Sequence, residues 1–295
     1  SPYIHIGGDE VLKDHWKESA FVQELKKREN LKDEHEVQSY FIRRIGKFLT
    51  SKGKIMIGWD EILEGGLAPN AVVMSWRGER GGIQAAKAKH AVIMTPTNTM
   101  YFDYGQGDPK YEPLNIGNQV SMETVYAYNP IPKELTEDEA KYVLGAQANV
   151  WTEYMKTTDQ LEYMVFPRLL ALSEVVWSPL ERKNLEDFLG RVPSHLSRLD
   201  RLKVNYRIPQ PKGLQNILIA DGSTAKIDLQ LQLPTAKIFY TLDGSDPNPK
   251  STEYRGPFEV TLDQNQTKEL KLIVVTENGR RSVIYTATLM RRPYR

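Results

Sequence analysis

Short apolar runs alternate regularly with segments of helical spacing, and this alternation limits the folds open to the chain. Five runs have the length and composition of β-strands, and each ends in a glycine, proline or charged turn. They are Tyr3–Ile6, Lys54–Trp59, Ala71–Trp76, Ala91–Thr95 and Gly145–Trp151. Strand and helix in alternation predict parallel βα units that share one sheet.

Two helical segments stand out between and after these runs. Asp33 and Glu36 form a candidate capping box at the start of the first. Apolar residues then recur at helical spacing until Gly53 ends the segment: Val37, Phe41, Ile45 and Phe48. A second amphipathic helix is predicted from Leu161 to Val176, with a kink at Pro167.

Acidic residues and tryptophans collect just after the predicted strands: Asp9, Glu10, Trp59, Asp60, Glu61, Trp76, Trp151 and Glu153. A (β/α)₈ barrel builds its active site at the carboxyl ends of its strands, so this pattern favours a barrel enzyme over a doubly wound sheet. No glycine-rich dinucleotide or phosphate fingerprint opens a helix. We therefore expect an α/β fold, an incomplete TIM (β/α)₈ barrel with about five of the eight βα units.

The character of the chain changes after Tyr206. Helical periodicity gives way to short alternating runs such as "AKIFYTLDG" and "LKLIVVTENG", which are typical of strands joined by tight turns. The stretch "RIPQPKG" before them carries two prolines and a glycine, as domain linkers often do. We predict a barrel domain over residues 1–207 and a small all-β, immunoglobulin-like sandwich over residues 208–295.

Charge and cysteine content exclude several classes of function. The 39 Lys and Arg residues against 38 Asp and Glu residues leave a formal charge of +1, which argues against electrostatic capture of nucleic acid or an anionic membrane surface. The absence of cysteine excludes disulfides, thiolate metal sites and a cysteine nucleophile. No apolar run is long enough for a membrane-spanning helix. We expect an uncharged or small partner and no cofactor.

Asp9 and Glu10 are the main candidates for chemistry. They follow a strand, and Gly7-Gly8 allow the backbone to turn sharply before them. Two adjacent acids can serve one reacting centre, one ionised and one protonated. Asp60-Glu61 repeats the same dipeptide at another strand end, and the pattern alone does not choose between a catalytic pair and a solvated acidic turn.

Longer motifs add a resemblance. The stretch "HIGGDE", from His5 to Glu10, resembles the signature of the β-N-acetylhexosaminidases of glycoside hydrolase family 20. Five further blocks resemble the same family in order: "GWDEIL", "SWRG", "YFDY", "GAQANVWTEY" and "PRLLALSEVVW". The tail "IFYTLDGSDPNP" with "YRGPFEV" resembles the C-terminal β-sandwich of many chitobiases and hexosaminidases.

The resemblance implies a retaining glycosidase in which the substrate's own 2-acetamido oxygen attacks C1, so no protein nucleophile is needed. It implies that Glu10 is the general acid and then the base for water. Asp9 would orient the acetamido group and stabilise the oxazolinium, and the Tyr101 hydroxyl would hold the acetamido carbonyl in line.

The resemblance also implies a sugar pocket. Trp59, Trp76 and Trp151 would bury the apolar faces of the sugar, while Asp103 and Glu153 would bind its hydroxyl groups. The implied partners are glycans with terminal N-acetylhexosamine. No metal is implied, and the implied location is periplasmic, cell-surface or secreted.

The number of predicted strands indicates that the chain is part of a longer protein. Eight strands close a barrel and five are present, so the chain is expected to be the C-terminal piece of a longer enzyme. An arginine that family members use on the sugar hydroxyls precedes the "HIGGDE" block and would lie in the part not present. The open edges at Tyr3–Ile6 and Gly145–Trp151 are expected to favour self-association, and the piece alone is expected to be weakly active or inactive.

Two alternatives stay open. The first is a non-catalytic glycan-binding or interaction fragment that uses the β-sandwich as its recognition module. The second is a metal-dependent hydrolase that uses His5, Asp9, Glu10 and His15, although their spacing is irregular for a metal site.

Overall fold

A computed structural model describes residues 1–233 and 235–291. The chain forms two compact units, each assembled from separated segments. The first unit comprises Ser1–Asp103, Val120–Trp151 and Ala171–Lys183. The second comprises Tyr104–Gln119, Thr152–Leu170 and the chain from Asn184 onward.

The first unit is built on a parallel sheet of five strands in sequential order. The strands are β1 (Tyr3–His5), β2 (Ile55–Trp59), β3 (Val72–Ser75), β4 (Val92–Met94) and β5 (Val143–Ala146). Within the described residues, β1 pairs with β2 alone and β5 with β4 alone. The prediction of parallel βα units in an incomplete (β/α)₈ barrel is therefore confirmed.

Helices connect these strands. They are α1 (Asp14–Glu18), α2 (Ala20–Glu29), α3 (Glu34–Ser51), α4 (Arg80–Lys87), α5 (Thr97–Met100), α6 (Met122–Ala127) and α7 (Glu137–Ala140). Helix α3 begins as predicted, because the Asp33 carboxylate accepts a hydrogen bond from the Glu36 N–H at 2.9 Å. Its buried stripe runs through Val37 and Ile42, whereas Phe41 is 62% exposed. The helical spacing was right, but it did not identify the buried face.

The fifth strand differs from its predicted bounds of Gly145–Trp151. It begins at Val143 and ends at Ala146, and its register shifts beside β4 where Gly145 adopts a φ of 141°. Beyond the strand, the Asn149 N–H donates to the Met100 carbonyl at 2.8 Å instead of extending the ladder with β4. The prediction was wrong in its bounds because this pairing is non-local and leaves no local pattern.

The helix predicted from Leu161 to Val176 is two helices, α8 (Thr158–Val165) and α9 (Arg168–Trp177). Proline has no N–H to donate and forces the residue before it into an extended conformation. Phe166 accordingly has ψ near 140°. The prediction of a kink at Pro167 was wrong, since the helix breaks there. A further helix, α10 (Leu185–Arg201), follows.

The second unit contains the predicted β-rich region. Its strands are β6 (Ile217–Ala220), β7 (Thr224–Ile227), β8 (Lys237–Thr241), β9 (Thr252–Glu253), β10 (Phe258–Thr261), β11 (Thr267–Val275) and β12 (Tyr285–Arg291). One sheet has the order β6-β12-β11-β8-β9, and β10 pairs with β7 in a second sheet. Along β11, Leu270 is fully buried between the exposed Glu269 and the half-buried Lys271, and burial is then continuous from Leu272 to Val274.

The stretch predicted as a linker is packed within the second unit. Tyr206 and Ile208 are buried, and the Arg207 Nε lies 2.7 Å from the Glu112 carboxylate, whose side chain has no exposure. The boundary between residues 207 and 208 stays a prediction. None of the helices in the described part of the chain has both the length and the apolar character required to cross a bilayer.

Candidate active site

The turn after β1 carries Asp9 and Glu10 into solvent. Gly7 and Gly8 have φ values of 72° and 100°, which L side chains rarely adopt. A Cβ on Gly8 would lie 2.7 Å from the Ile62 Cγ2, so the chain passes too close to that side chain for any other residue. Both acidic residues following this turn are exposed, and Glu10 itself has a φ of 51°.

Two neighbouring elements hold this turn by its backbone. The Gln38 Nε2 of α3, almost fully buried, donates to the Gly8 carbonyl at 2.9 Å. The Trp59 N–H at the end of β2 donates to the Gly7 carbonyl at 3.0 Å. Sequence reasoning did not identify Gln38, because a polar residue on the apolar stripe of a helix gives no sign of what it binds.

His5 supports the same turn. Its Nδ1 accepts a hydrogen bond from the Gly7 N–H at 3.0 Å, which requires that Nδ1 carry no proton. Its ring packs against Trp59 with centroids 4.7 Å apart. Burial lowers the pKa of His5, although the Asp9 carboxylate opposes this shift. His5 is therefore a neutral support for the turn that carries Asp9.

In the described residues, the structure shows no cluster of side chains that would support the metal-dependent hydrolase. Across residues 1–233 and 235–291, no three histidine or acidic side chains converge in a way that suits a metal ion. His5 is instead engaged with Gly7 and Trp59, as described above.

The predicted aromatic residues form a continuous arc at the carboxyl ends of the strands. Trp59 and Trp151 have ring centroids 5.8 Å apart, and Trp151 and Tyr101 have centroids 6.4 Å apart. Tyr101 and Trp76 stack with centroids 6.4 Å apart and planes 27° apart. We call these four residues the aromatic arc. Trp151 is its most accessible member at 39% exposure, whereas Trp59 and Tyr101 are buried.

The "SWRG" motif fixes the turn that carries Trp76. The Ser75 hydroxyl donates to the Gly78 carbonyl at 2.8 Å and accepts from the Gly82 N–H in the first turn of α4 at 2.9 Å. The Trp76 Nε1 then donates to the Glu61 Oε2 at 2.9 Å. The backbone turn and the indole are therefore held separately.

Asp60 and Glu61 form a buried pair, and both carboxyl groups contact other side chains of the protein. The Arg77 Nε lies 3.0 Å from the Asp60 Oδ1, and its Nη1 lies 3.2 Å from the Glu64 Oε1. Burial, together with a hydrogen bond to Glu61, raises the pKa of Asp60 to about 7. Asp9 and Glu10 are exposed, whereas this second pair is 3% and 5% exposed. The structure thus separates the two dipeptides that the sequence pattern could not distinguish.

A cavity of about 440 Å³ lies against two members of the aromatic arc, Trp59 and Trp151, and its volume is within the size range of small-ligand pockets. Its lining comes from β1, β2, β3 and the segment after β5: Tyr3, His5, Ile57, Trp59, Met74, Gln147, Ala148, Asn149, Val150 and Trp151. The Gln147 Nε2 donates to the Asn149 Oδ1 at 3.0 Å. Sequence reasoning missed Gln147 and Asn149, although their position in "GAQANVWTEY" beside Trp151 was a signal for both.

The remaining predicted residues lie in different units. Asp103 is buried in the first unit, two residues after Tyr101. Glu153 is an exposed residue of the second unit. The structure therefore brings together the three tryptophans and Tyr101, and it places Asp9 and Glu10 on the turn that His5 and Trp59 support. The roles in catalysis and sugar binding stay predictions.

Comparison with known proteins identifies two regions. Residues 1–180 match the family described as glycosyl hydrolase family 20, catalytic domain. Residues 227–289 match a domain described as Fn3 associated.

Named relatives support the first match. A β-hexosaminidase of Porphyromonas gingivalis is 48% identical over 295 residues, which are 99% of this chain and 37% of that protein. A β-hexosaminidase of Vibrio furnissii is 34% identical over 59% of this chain and 29% of its own length. The crystal structure of a GH20 exo β-N-acetylglucosaminidase from Vibrio harveyi, in complex with N-acetylglucosamine, has a TM-score of 0.64 and 32% identity and covers 70% of this chain.

This chain spans between 29% and 37% of the length of the three proteins. Its partial barrel, its motifs and these similarities agree, and the chain belongs to glycosyl hydrolase family 20.

Proposed function

We propose that this chain carries the catalytic residues of an exo-acting retaining glycosidase that removes terminal β-linked N-acetylglucosamine or N-acetylgalactosamine from glycans. The observation that carries the proposal is the exposed Asp9-Glu10 pair on a turn whose supports, His5 and Trp59, belong to or contact the aromatic arc. Acids open to solvent beside aromatic faces suit a sugar with one apolar face and one scissile bond.

The proposed reaction uses the substrate's acetamido group as nucleophile. Glu10 donates its proton to the glycosidic oxygen as the bond from C1 to that oxygen breaks, and the acetamido oxygen bonds to C1. Asp9 stabilises the positive charge of the resulting oxazolinium, and the Tyr101 hydroxyl holds the acetamido carbonyl in line. Glu10, now ionised, removes a proton from the water that attacks C1 and restores the acetamido group.

Sugar binding is assigned to the five predicted site residues that have no part in the chemical steps. Trp59, Trp76 and Trp151 bury the C–H faces of the sugar and the acetamido methyl group. Asp103 and Glu153 accept hydrogen bonds from sugar hydroxyls. The ring contacts within the aromatic arc support this assignment, because they keep flat faces in a fixed order along the ends of the strands.

The test of this function is the dependence on the acetamido group. We expect the full-length protein to release p-nitrophenol from the p-nitrophenyl N-acetylglucosaminide far faster than from the corresponding glucoside, because the glucoside lacks the attacking oxygen. Comparable rates on the two substrates would contradict the mechanism, since a protein nucleophile would then be at work.

A second candidate is a non-catalytic glycan-binding role for this chain by itself. The observation that favours it is the five-stranded sheet, because a barrel active site draws residues from the ends of several strands around a closed ring. Binding of N-acetylglucosamine by this chain, with no release of p-nitrophenol by either this chain or the full-length protein, would favour this candidate over the enzyme.

We propose in addition that copies of this chain associate through the edges of β1 and β5, whose outer backbone groups have no strand partner among the described residues. The full-length protein is proposed to act outside the cytoplasm, in the periplasm, at the cell surface or after secretion, where exposed glycans occur. Fractionation of the source cells, followed by the p-nitrophenol assay, tests that location, and activity confined to the cytoplasm would contradict it.

A further inference from the structure

Glu61 makes a contact that its place in a second Asp-Glu dipeptide does not suggest. It lies just after β2, and its Oε2 accepts a hydrogen bond from the Nε1 of Trp76, just after β3, at 2.9 Å. The Glu61 side chain is only 7% exposed. At so buried a position, a hydrogen bond is electrostatically stronger than the same bond in water.

The hydrogen bond defines the orientation of the indole. The ring of Trp76 stacks on Tyr101 with planes 27° apart. The indole has a single N–H donor, so a rotation of the ring about χ2 carries this N–H away from Glu61 and breaks the contact. The ring plane and the edge it presents are therefore set by Tyr101 on one side and by Glu61 on the other.

The neighbouring residue Asp60 contacts other partners. Asp60 packs against α4, since a Cβ on Gly81 would lie 2.6 Å from its side chain, and its carboxylate meets the Arg77 Nε at 3.0 Å. Arg77 lies farther from Glu61, at 3.7 Å from its Oε1. The two adjacent carboxylates therefore diverge, Asp60 toward α4 and Glu61 toward the aromatic arc.

We propose that Glu61 is a positioning residue that fixes the indole of Trp76 against Tyr101. It thereby shapes the sugar-binding surface that the aromatic arc provides, which we call the sugar-binding wall, without touching the substrate. The orientation of the indole follows from geometry alone, whereas its effect on a sugar rests on the proposed function. The two parts are tested by different measurements.

The first measurement reads the indole directly. The chain has five tryptophans, so ¹⁵N-labelled protein gives up to five indole N–H signals, and Trp76→Phe identifies the one from Trp76. Glu61→Ala and the larger Glu61→Met both remove the acceptor, so we expect both to shift that signal. Glu61→Gln keeps a carbonyl oxygen that can accept the N–H, so it should leave the signal close to its original position.

Glu64→Gln is the matched control. Glu64 belongs to the same charged cluster and meets the Arg77 Nη1 at 3.2 Å. It also contacts Lys13 and His35, whereas the Trp76 N–H donates to Glu61. The Trp76 signal should therefore stay in place. An unmoved signal in Glu61→Met, or an equal shift in Glu64→Gln, would overturn the positioning role.

The second measurement concerns the sugar and uses the full-length protein. A hydrogen bond of this kind is worth about 0.5–1.5 kcal/mol, so Glu61→Met should raise KM for the chromogenic N-acetylglucosaminide roughly 2- to 12-fold, with Glu61→Gln restoring most of it. A loss confined to kcat, with KM unchanged, would contradict a role in shaping the wall. Full activity of Glu10→Gln would instead reject the proposed function, and the indole signals would still report on Glu61.

Discussion

At the scale of single residues, the two Asp-Glu dipeptides of the sequence differ in their burial. Asp9 and Glu10 are exposed after a glycine turn, whereas Asp60 and Glu61 lie in a dry cluster with Arg77. An acid that protonates a substrate must be reachable by that substrate, while a buried and paired acid stabilises or orients its neighbours. This difference leads to opposite expectations for the two pairs.

The catalytic assignment predicts a large effect at Glu10. In the full-length protein, Glu10→Gln should lower kcat by at least roughly a hundredfold, because general acid–base catalysis contributes about 10²–10⁴-fold. Steady-state release of p-nitrophenol measures the effect. Glu61→Gln is the comparison, and the choice between the dipeptides is wrong if that substitution proves as damaging.

Asp60 predicts a pH dependence of stability. Its pKa in the folded protein is about 7, above the ordinary 3.8, so the folded state binds this proton more tightly than the unfolded state does. The stabilisation is complete below about pH 4 and is lost as the pH rises through 7. Urea unfolding from pH 4 to pH 8 should therefore show wild type losing stability relative to Asp60→Asn. Parallel curves for the two proteins would contradict the raised pKa.

At the scale of elements, α3 links local sequence signals to the candidate site. Asp33 starts the helix, and one turn later Gln38 holds the Gly8 carbonyl of the turn that carries the acids. The helix also ends near Gly53, so that β2 begins at Ile55 beside β1. A local capping signal thus contributes to the position of Asp9 and Glu10.

Removal of this cap tests the element. Asp33→Ala should lower the free energy of unfolding by about 1 kcal/mol, because the Glu36 N–H in the first turn of α3 loses its side-chain acceptor. Lys47→Ala, at an exposed position of the same helix, exchanges two good helix formers and should change stability little. Urea unfolding followed by circular dichroism compares them, and equal losses in both variants would show that the cap is not the cause.

At the largest scale, the two open edges of the partial barrel bear on whether the chain associates with other copies and on whether it is active. Ile4 on β1 is 41% exposed and Leu144 on β5 is 58% exposed. Unpaired strand edges with apolar side chains favour pairing with another chain. A site that draws on one part of a barrel also loses much of the positioning on which rate depends.

This chain by itself should therefore associate in light scattering and show little or no release of p-nitrophenol. Ile4→Lys, which places a charge on the β1 edge, should shift the population toward monomer. Leu202→Lys, at a residue 73% exposed outside the sheet, should not. A strictly monomeric and fully active chain would contradict both the association and the expectation that further strands are needed.

Several features followed from the sequence because their causes are local. The predicted strand runs of four to seven residues, the Asp33 cap and the glycines before Asp9 each reflect preferences of a few adjacent residues. They sufficed to predict the partial barrel and the turn. The family motifs brought the four members of the aromatic arc into one predicted site. The ring distances show that these four side chains lie together, and the sugar site that the motifs imply stays a prediction.

Other features depend on residues far apart in the chain and became visible in the three-dimensional structure. The end of β5 at Ala146 follows from the later pairing of Asn149 with Met100, and the role of Glu61 follows from Trp76, fifteen residues away. Burial of the Asp60-Glu61 pair likewise depends on α4 and Arg77. Local preference determines which elements form, whereas burial and partner choice are set by packing between elements, which no short stretch of sequence encodes.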